Sequence, residues 1–240
     1  MEKSISIFIP AFNEAEGLMD TIKTIEKIRN QCRINSQSIE YIIVDDGSKD
    51  STGDIAEDLA KRHSNVKVIH NIFNRGLGYS LKVAIDDATK EYFMLIPGDN
   101  ETTEKTIHII FQAIQEHEYD IYIPYQGNSK ARPMIRRVLS RIYTQVFNIL
   151  FGMRLRYFNG LCAFKLTLLK KAKMMTSGPS SQAGTLIQLI KQRKASYLEI
   201  PMYVNPQPGR KSRLLKWKNV FHIAKHIYDL KQHMRKSPST

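Results

Sequence analysis

The sequence predicts an α/β fold: a doubly wound, mostly parallel sheet flanked by helices, with a basic helical extension at its C-terminal end. Three observations carry that expectation. Short β-branched runs recur at 4–9, 39–44, 66–70, 92–96 and 120–125. Between them lie stretches with apolar residues at helical spacing. Turn-forming acidic segments follow three of the runs. Strand–helix alternation of this kind needs crossover helices, and crossovers make parallel sheets.

Taken in order, residues 4–9 read as the first strand and 14–30 as a helix burying Leu18, Ile22, Ile25 and Ile28. Strand 39–44 precedes helix 51–63, which aligns Ile55 and Leu59. Strand 66–70 precedes helix 77–89, with Leu81, Ala84, Ile85 and Ala88 on one face. Strand 92–96 precedes helix 102–117, with Ile107, Ile110, Phe111 and Ile114 inward. The second half begins with a long amphipathic pattern at 131–152, basic first and apolar later. Helices are expected at 166–175 and 182–193, a returning strand at 196–200, a turn at 205–209, and one or two basic amphipathic helices over 214–235.

The chain has 240 residues, enough for one sizeable core without staples. Its two cysteines, Cys32 and Cys162, exclude a disulfide scaffold and a cysteine-rich zinc module, and suit a reducing compartment. The opening residues run into the first strand without a leader pattern. No apolar run reaches the roughly 18–20 residues of a membrane-spanning helix. The expectation is a soluble or surface-bound protein. Net charge is +13, but residues 1–128 carry 13 Lys+Arg against 21 Asp+Glu. Residues 129–240 carry 23 Lys+Arg against only Glu199 and Asp229. Such asymmetry aims the second half at something anionic: lipid headgroups, a phosphorylated substrate or nucleic acid.

In a parallel sheet, ligands bind beyond the carboxyl ends of the strands. Three loops fall there: Pro10–Glu14, Asp45–Thr52 and Pro97–Glu101. Each alone could be a turn or a helix cap. Together they bring acids from separate segments to one edge, where they suit a ribose diol, a base edge and a hard divalent metal. Gly76-Leu77-Gly78 lacks the third glycine of a dinucleotide fingerprint, and there is no Gly-rich phosphate loop ending in Lys-Ser/Thr. Cys/His metal spacing is missing as well.

Ile9-Pro10-Ala11-Phe12-Asn13-Glu14 and Val44-Asp45-Asp46-Gly47-Ser48-Lys49-Asp50-Ser51-Thr52 resemble the two opening motifs of family 2 glycosyltransferases with the GT-A fold. Asn74-Arg75-Gly76-Leu77-Gly78 resembles the next block. Arg136 to Ser140, Glu199-Ile200-Pro201-Met202 and Gly209 to Arg213 resemble the polyprenyl-phosphate sugar transferases, the dolichyl-phosphate mannose synthase group. The resemblance spans roughly residues 4–225. It implies a GT-A domain over 1–210, with a sugar-nucleotide half at 1–128 and an acceptor half at 129–210, followed by basic helices at 211–240.

The resemblance also implies roles. Pro10, Phe12, Glu14, Asp45, Asp46 and Gly76 would line the nucleotide of a GDP- or UDP-sugar. Asp99 and Glu101 would hold Mg²⁺ or Mn²⁺ on its diphosphate, with Asp99 and Arg136 the catalytic pair. Arg136 and Ser140, with Arg210, would hold the phosphate of a polyprenyl acceptor. The implied reaction is inverting transfer on the cytoplasmic face of a membrane, peripheral to an anionic surface, compatible with an integral-membrane partner, and without nucleic acid. Two departures matter. The metal loop, usually Asp-x-Asp, reads Pro97-Gly98-Asp99, and Gly184 stands where many relatives place an acid. A glycan or protein hydroxyl acceptor, and a non-catalytic sugar-nucleotide or polyanion binder, stay open as alternatives.

Overall fold

The computed structural model describes residues 1–100, 102–128, 133–172, 180–203 and 217–236. Seven strands form one sheet in the order β3-β2-β1-β4-β6-β5-β7. They are β1 (Ile5–Ala11), β2 (Ile39–Asp45), β3 (Val66–His70), β4 (Tyr92–Leu95), β5 (Ile121–Gln126), β6 (Ala163–Lys165) and β7 (Tyr197–Met202). β1 pairs in parallel with β2 on one side and β4 on the other, and β3 extends the run beyond β2. Strand order therefore reverses at β1, which opens a crevice between the loops after β1 and β4. β6 runs antiparallel to β4 and β5, and β7 returns parallel to β5.

The three-residue β6 was not expected. It is too short to show a period, and it ends directly before the stretch that reads as a helix from residue 166. The central strands β1 and β2 are buried on both faces, so they are mostly apolar rather than alternating, and the buried Ser6 and Glu40 that interrupt them bond to each other. The helices α1 (Leu18–Gln31), α2 (Thr52–Arg62), α3 (Leu77–Asp87) and α4 (Glu104–Glu116) lie inside the expected spans to within one residue. Helix α1 begins four residues after Glu14, because residues 12–17 are spent on the loop.

Two apolar clusters cover the two faces of the sheet. One joins α1 and α4 to Ile7, Ile9 and Ile43; the other joins α3 and the second-half helices to Phe8, Ile42 and Phe93. Those helices are α5 (Met134–Phe151), α6 (Leu166–Leu169), α7 (Ser181–Ile187) and α8 (Trp217–Lys236). α6 is one turn only, and α7 passes into a wider π turn at Gln188–Gln192. α8 packs through Leu230 and His226. The His226 ring sits over Gly184, where an added Cβ would lie 2.7 Å from its Cε1, and its Nδ1 is 2.7 Å from Ser180 Oγ.

Helix α5 buries Tyr143, Thr144 and Phe147. Its outer flank exposes Ile135, Val138, Ile142, Val146 and Ile149, the last at 77%. Gly152, at φ 59°, closes the helix in the left-handed region, which favours glycine. The two flanks should answer differently to truncation. Phe147→Ala should cost about 3–5 kcal/mol in urea unfolding, as buried aromatics do. Ile149→Ser should stay within about 0.5 kcal/mol. Equal losses would mean that the outer flank is packed.

Candidate functional site

The loops after β1, β2 and β4 meet at one edge and are laced together by the backbone. The Asp46 N–H donates to Ala11 O at 2.9 Å, and the Gly98 N–H approaches Pro10 O at 3.4 Å. The Asn13 N–H donates to Ser48 Oγ, the Lys49 N–H to Asn13 Oδ1 and the Glu14 N–H to Thr52 Oγ1. Asp50 accepts from the Thr52 and Ala15 amides, so it joins the loops besides starting α2. Gly17 touches the β4 loop so closely that a Cβ would fall 2.7 Å from Gly98 O. Pro10, Glu14 and Asp99 are half-buried on this edge, and Phe12 is exposed.

Asp45 and Asp46 are both buried, but they do different work. Asp46 organises the loop after β3. Its Oδ1 accepts from Asn71 Nδ2 at 2.7 Å and the Arg75 N–H at 2.9 Å, and its Oδ2 from the Gly76 N–H at 2.7 Å. Three of its roughly four acceptor positions are thus engaged within the chain. Gly76, at φ 83°, takes a backbone shape closed to other residues, and the loop it ends is the one Asp46 holds. Asp45 accepts from the Ser48 N–H through Oδ1 and meets His70 Nδ1 through Oδ2, each at 3.0 Å. Burial works against its charge, but the bonds from Ser48 and His70 outweigh it and hold the carboxyl below the ordinary aspartate range.

Among the described residues, no group of three or more His, Cys, Asp and Glu could hold a metal by itself. Asp99 brings one carboxylate to the edge, and Glu101 lies outside the described residues. One carboxylate fits a hard cation that takes its other ligands from water and substrate phosphate, as Mg²⁺ commonly does. Cys162 is excluded as a nucleophile: burial, only partly offset by the bond from Gln182, pushes its thiol up to about 12.

A second feature lies beyond β5. A cavity of about 200 Å³ is lined by Tyr125, Gln126, Arg137, Ser140, Arg141, Thr144, Arg156 and Tyr157. The Arg156 guanidinium stands 4.5 Å from the Tyr125 ring centroid. Gln126 Nε2 is buried here without a hydrogen-bond partner among the described residues. Ser140 belongs to this lining; Arg136 does not, and Arg210 lies outside the described residues. Arg137, Arg141, Arg156 and Gln126 were not singled out from the sequence. Residues 137, 140, 141 and 144 do share one helical face, and that spacing was the available signal. It pairs Ser140 with Arg136 equally well, and only the packing of β5 and the 156–157 segment decides between them.

Residues 6–170 match the model of glycosyl transferase family 2, and the chain belongs to that family. It is 29% identical over 123 residues to a glycosyltransferase of Streptococcus pneumoniae, covering 51% of this chain and 39% of that one. It is 24% identical over 230 residues to a dolichol-phosphate mannosyltransferase of Pyrococcus furiosus, covering 94% of this chain and 63% of that one. The chain thus spans less than two thirds of either relative. Among solved structures, a mannosyltransferase of Pyrobaculum calidifontis in complex with GDP-Man and Mn²⁺ superposes at TM-score 0.64 with 16% identity, covering 95% of this chain and 65% of that one. The fold is that of the GT-A glycosyltransferases.

The Asp46 bonds yield a direct test. In Asp46→Asn one oxygen becomes an amide that faces an N–H group. Amide hydrogen exchange should speed up at Arg75 and Gly76 ahead of the rest of the sheet, and stability should drop by roughly 1–3 kcal/mol. Unchanged protection at both amides would deny Asp46 this role.

Proposed function

We propose that this family 2 glycosyltransferase moves a sugar from a nucleoside diphosphate sugar to a polyprenyl phosphate at a membrane surface. The observation that supports the acceptor is the cavity beside α5. Arg137, Arg141 and Arg156, with Ser140 and the Gln126 Nε2, unpartnered among the described residues, offer donors and positive charge to one anion. Planar guanidinium groups suit phosphate oxygens. The exposed apolar flank of α5 supports the lipid. A helix lying in the interface buries such a flank at the acyl boundary. A phosphate pocket on the opposite flank then stands about one helix diameter higher, roughly 10 Å, near headgroup level. No helix among the described residues is long and apolar enough to cross a membrane.

The donor would sit at the carboxyl edge. Glu14 would face the ribose and Asp46, with Asp45 beside it, the base; Pro10 and Phe12 would line the nucleotide, and the Asp46-held loop ending at Gly76 would close one side. Asp99, with Glu101, would hold Mg²⁺ or Mn²⁺, which would supply positive charge to neutralise the diphosphate. An acceptor phosphate oxygen attacks the anomeric carbon. The bond from that carbon to the diphosphate oxygen breaks, the electron pair leaves with the nucleoside diphosphate, and configuration inverts. No proton has to move, because the acceptor is already an anion. Positioning of two anions supplies most of the rate. Arg136, in the first turn of the same helix, and Arg210 are assigned to the acceptor on sequence grounds.

Transfer from GDP-mannose or UDP-glucose to a short-chain polyprenyl phosphate in anionic vesicles, with Mg²⁺ or Mn²⁺, tests this reading. Asp99→Ala should cut turnover at least ~100-fold while the unfolding midpoint stays put. Arg141→Ala should raise the acceptor KM about tenfold and leave the donor KM unchanged, as the loss of one charged hydrogen bond predicts. Vesicle binding should weaken with salt, because headgroup attraction is screened. Transfer to a glycan or protein hydroxyl, with none to the lipid phosphate, would overturn the acceptor assignment.

A further inference from the structure

We propose that His70 is a positioning residue for the donor site. As an imidazolium clamped between Asp45 and Glu57, it fixes the Asp45 carboxylate, so that binding of a nucleoside diphosphate weakens as pH rises. This rests on the donor-site reading given above.

His70 ends β3 and stands opposite Asp45 in the strand register. Its Nδ1 lies 3.0 Å from Asp45 Oδ2 and its Nε2 lies 3.0 Å from Glu57 Oε1 on α2. Each ring nitrogen thus faces a carboxylate oxygen. Only the protonated ring donates from both nitrogens; the neutral ring keeps one bond and turns a lone pair toward the other carboxylate. Gly53 makes the clamp possible, because a Cβ there would lie 3.1 Å from Asp45 Oδ2 and 3.4 Å from His70 Cε1. The ring is 43% exposed, so solvent can exchange its proton.

The charged groups that face the ring are Glu57 from α2 and Asp45 from β2. The Glu57 hydrogen bond foremost, opposed by burial, and then Asp45 raise its pKa above the ordinary histidine value. Below that pKa the clamp is complete. As pH rises through it, a bond is lost and a positive charge disappears beside Asp45 and Asp46. Both changes act in one direction. Asp45 loses a restraint that orders it before binding. The edge also becomes more negative toward an anionic diphosphate.

Calorimetric titration of UDP and GDP, from about pH 5 to about 8 where histidine changes charge, tests the inference on the full chain. The terminal phosphate of the ligand titrates near pH 6 as well, so affinities are compared with those of His70→Gln at each pH. The wild-type advantage should be about tenfold at the acid end, the value of one charged hydrogen bond, and should vanish at the alkaline end. Glu57→Gln, which leaves His70 on Asp45, should move the step to lower pH. The His70 ring signal in NMR should move with it, a shift that a merely structural role would not produce. A constant ratio across the range, or a step unmoved in Glu57→Gln, overturns the inference while the donor site stands. Failure of both diphosphates to bind at every pH overturns the donor-site reading and the inference together.

Discussion

The parallel pairing of β1 with both β2 and β4 is the constraint on which the site depends. Parallel neighbours end on the same side, so the loops after all three strands emerge at one edge. The order reverses at β1, so β2 and β4 lie on opposite sides of it and the loops after β1 and β4 border one crevice, while the helices that follow them, α1 and α4, pack together on one face. An antiparallel β1 partner would send one loop to the far side of the molecule. The apolar content of β1 and β2 follows from the same constraint: strands central to a sheet covered on both faces have no solvent side to decorate. The polar residues are therefore displaced to the strand ends, where Asp45 and Asp46 begin.

Charge divides along the same geometry. The edge formed by the first half holds carboxylates, and the cavity formed largely by α5 holds guanidinium groups. Carboxylates at the edge are stabilised by the chain itself, Asp45 by Ser48 and His70, Asp46 by three donors of the loop after β3. The arginines of the cavity meet few carboxylates, since the second half has only Glu199 and Asp229. Glu199 accepts from the Arg156 amide and lies 4.0 Å from its guanidinium, a contact too long and exposed to hold it firmly. Glu199 so leaves most of the cavity's positive charge for the acceptor anion proposed above.

Much of this was legible in the sequence, for identifiable reasons. The first four strands and helices carry long, regular patterns, and the three edge loops follow from strand ends plus acidic turns. β6 escaped because three residues cannot display a period. The expected helix at 166–175 reduced to one turn at Leu166–Leu169, with residues 173–179 outside the described ones. At the site, sequence could propose Asp45 and Asp46 as a pair but not divide their labour. That division depends on which groups of residues 71–76 turn toward Asp46, and two of the three donors, the Arg75 and Gly76 amides, are main-chain groups invisible in a residue code. The His70 clamp escaped for a similar reason: Asp45, Glu57 and His70 are brought together only by strand register and the way α2 crosses it.

Gly184 connects the docking of α8 to the chemistry of the acceptor. A hydroxyl acceptor must lose a proton as it attacks, and a positioned base is the usual means. A side chain at 184 has no room, because the His226 ring occupies the space a Cβ would need. The ring itself is a poor substitute: it is buried, its Nδ1 is engaged with Ser180, and burial, only partly offset by Asp229, lowers its pKa below the ordinary histidine value. No carboxylate lines the cavity beside α5 among the described residues either. An acceptor that arrives already ionised needs none of these groups. The packing of α8 against α7 thus leaves no room for a carboxylate at 184, which agrees with the phosphate nucleophile proposed above.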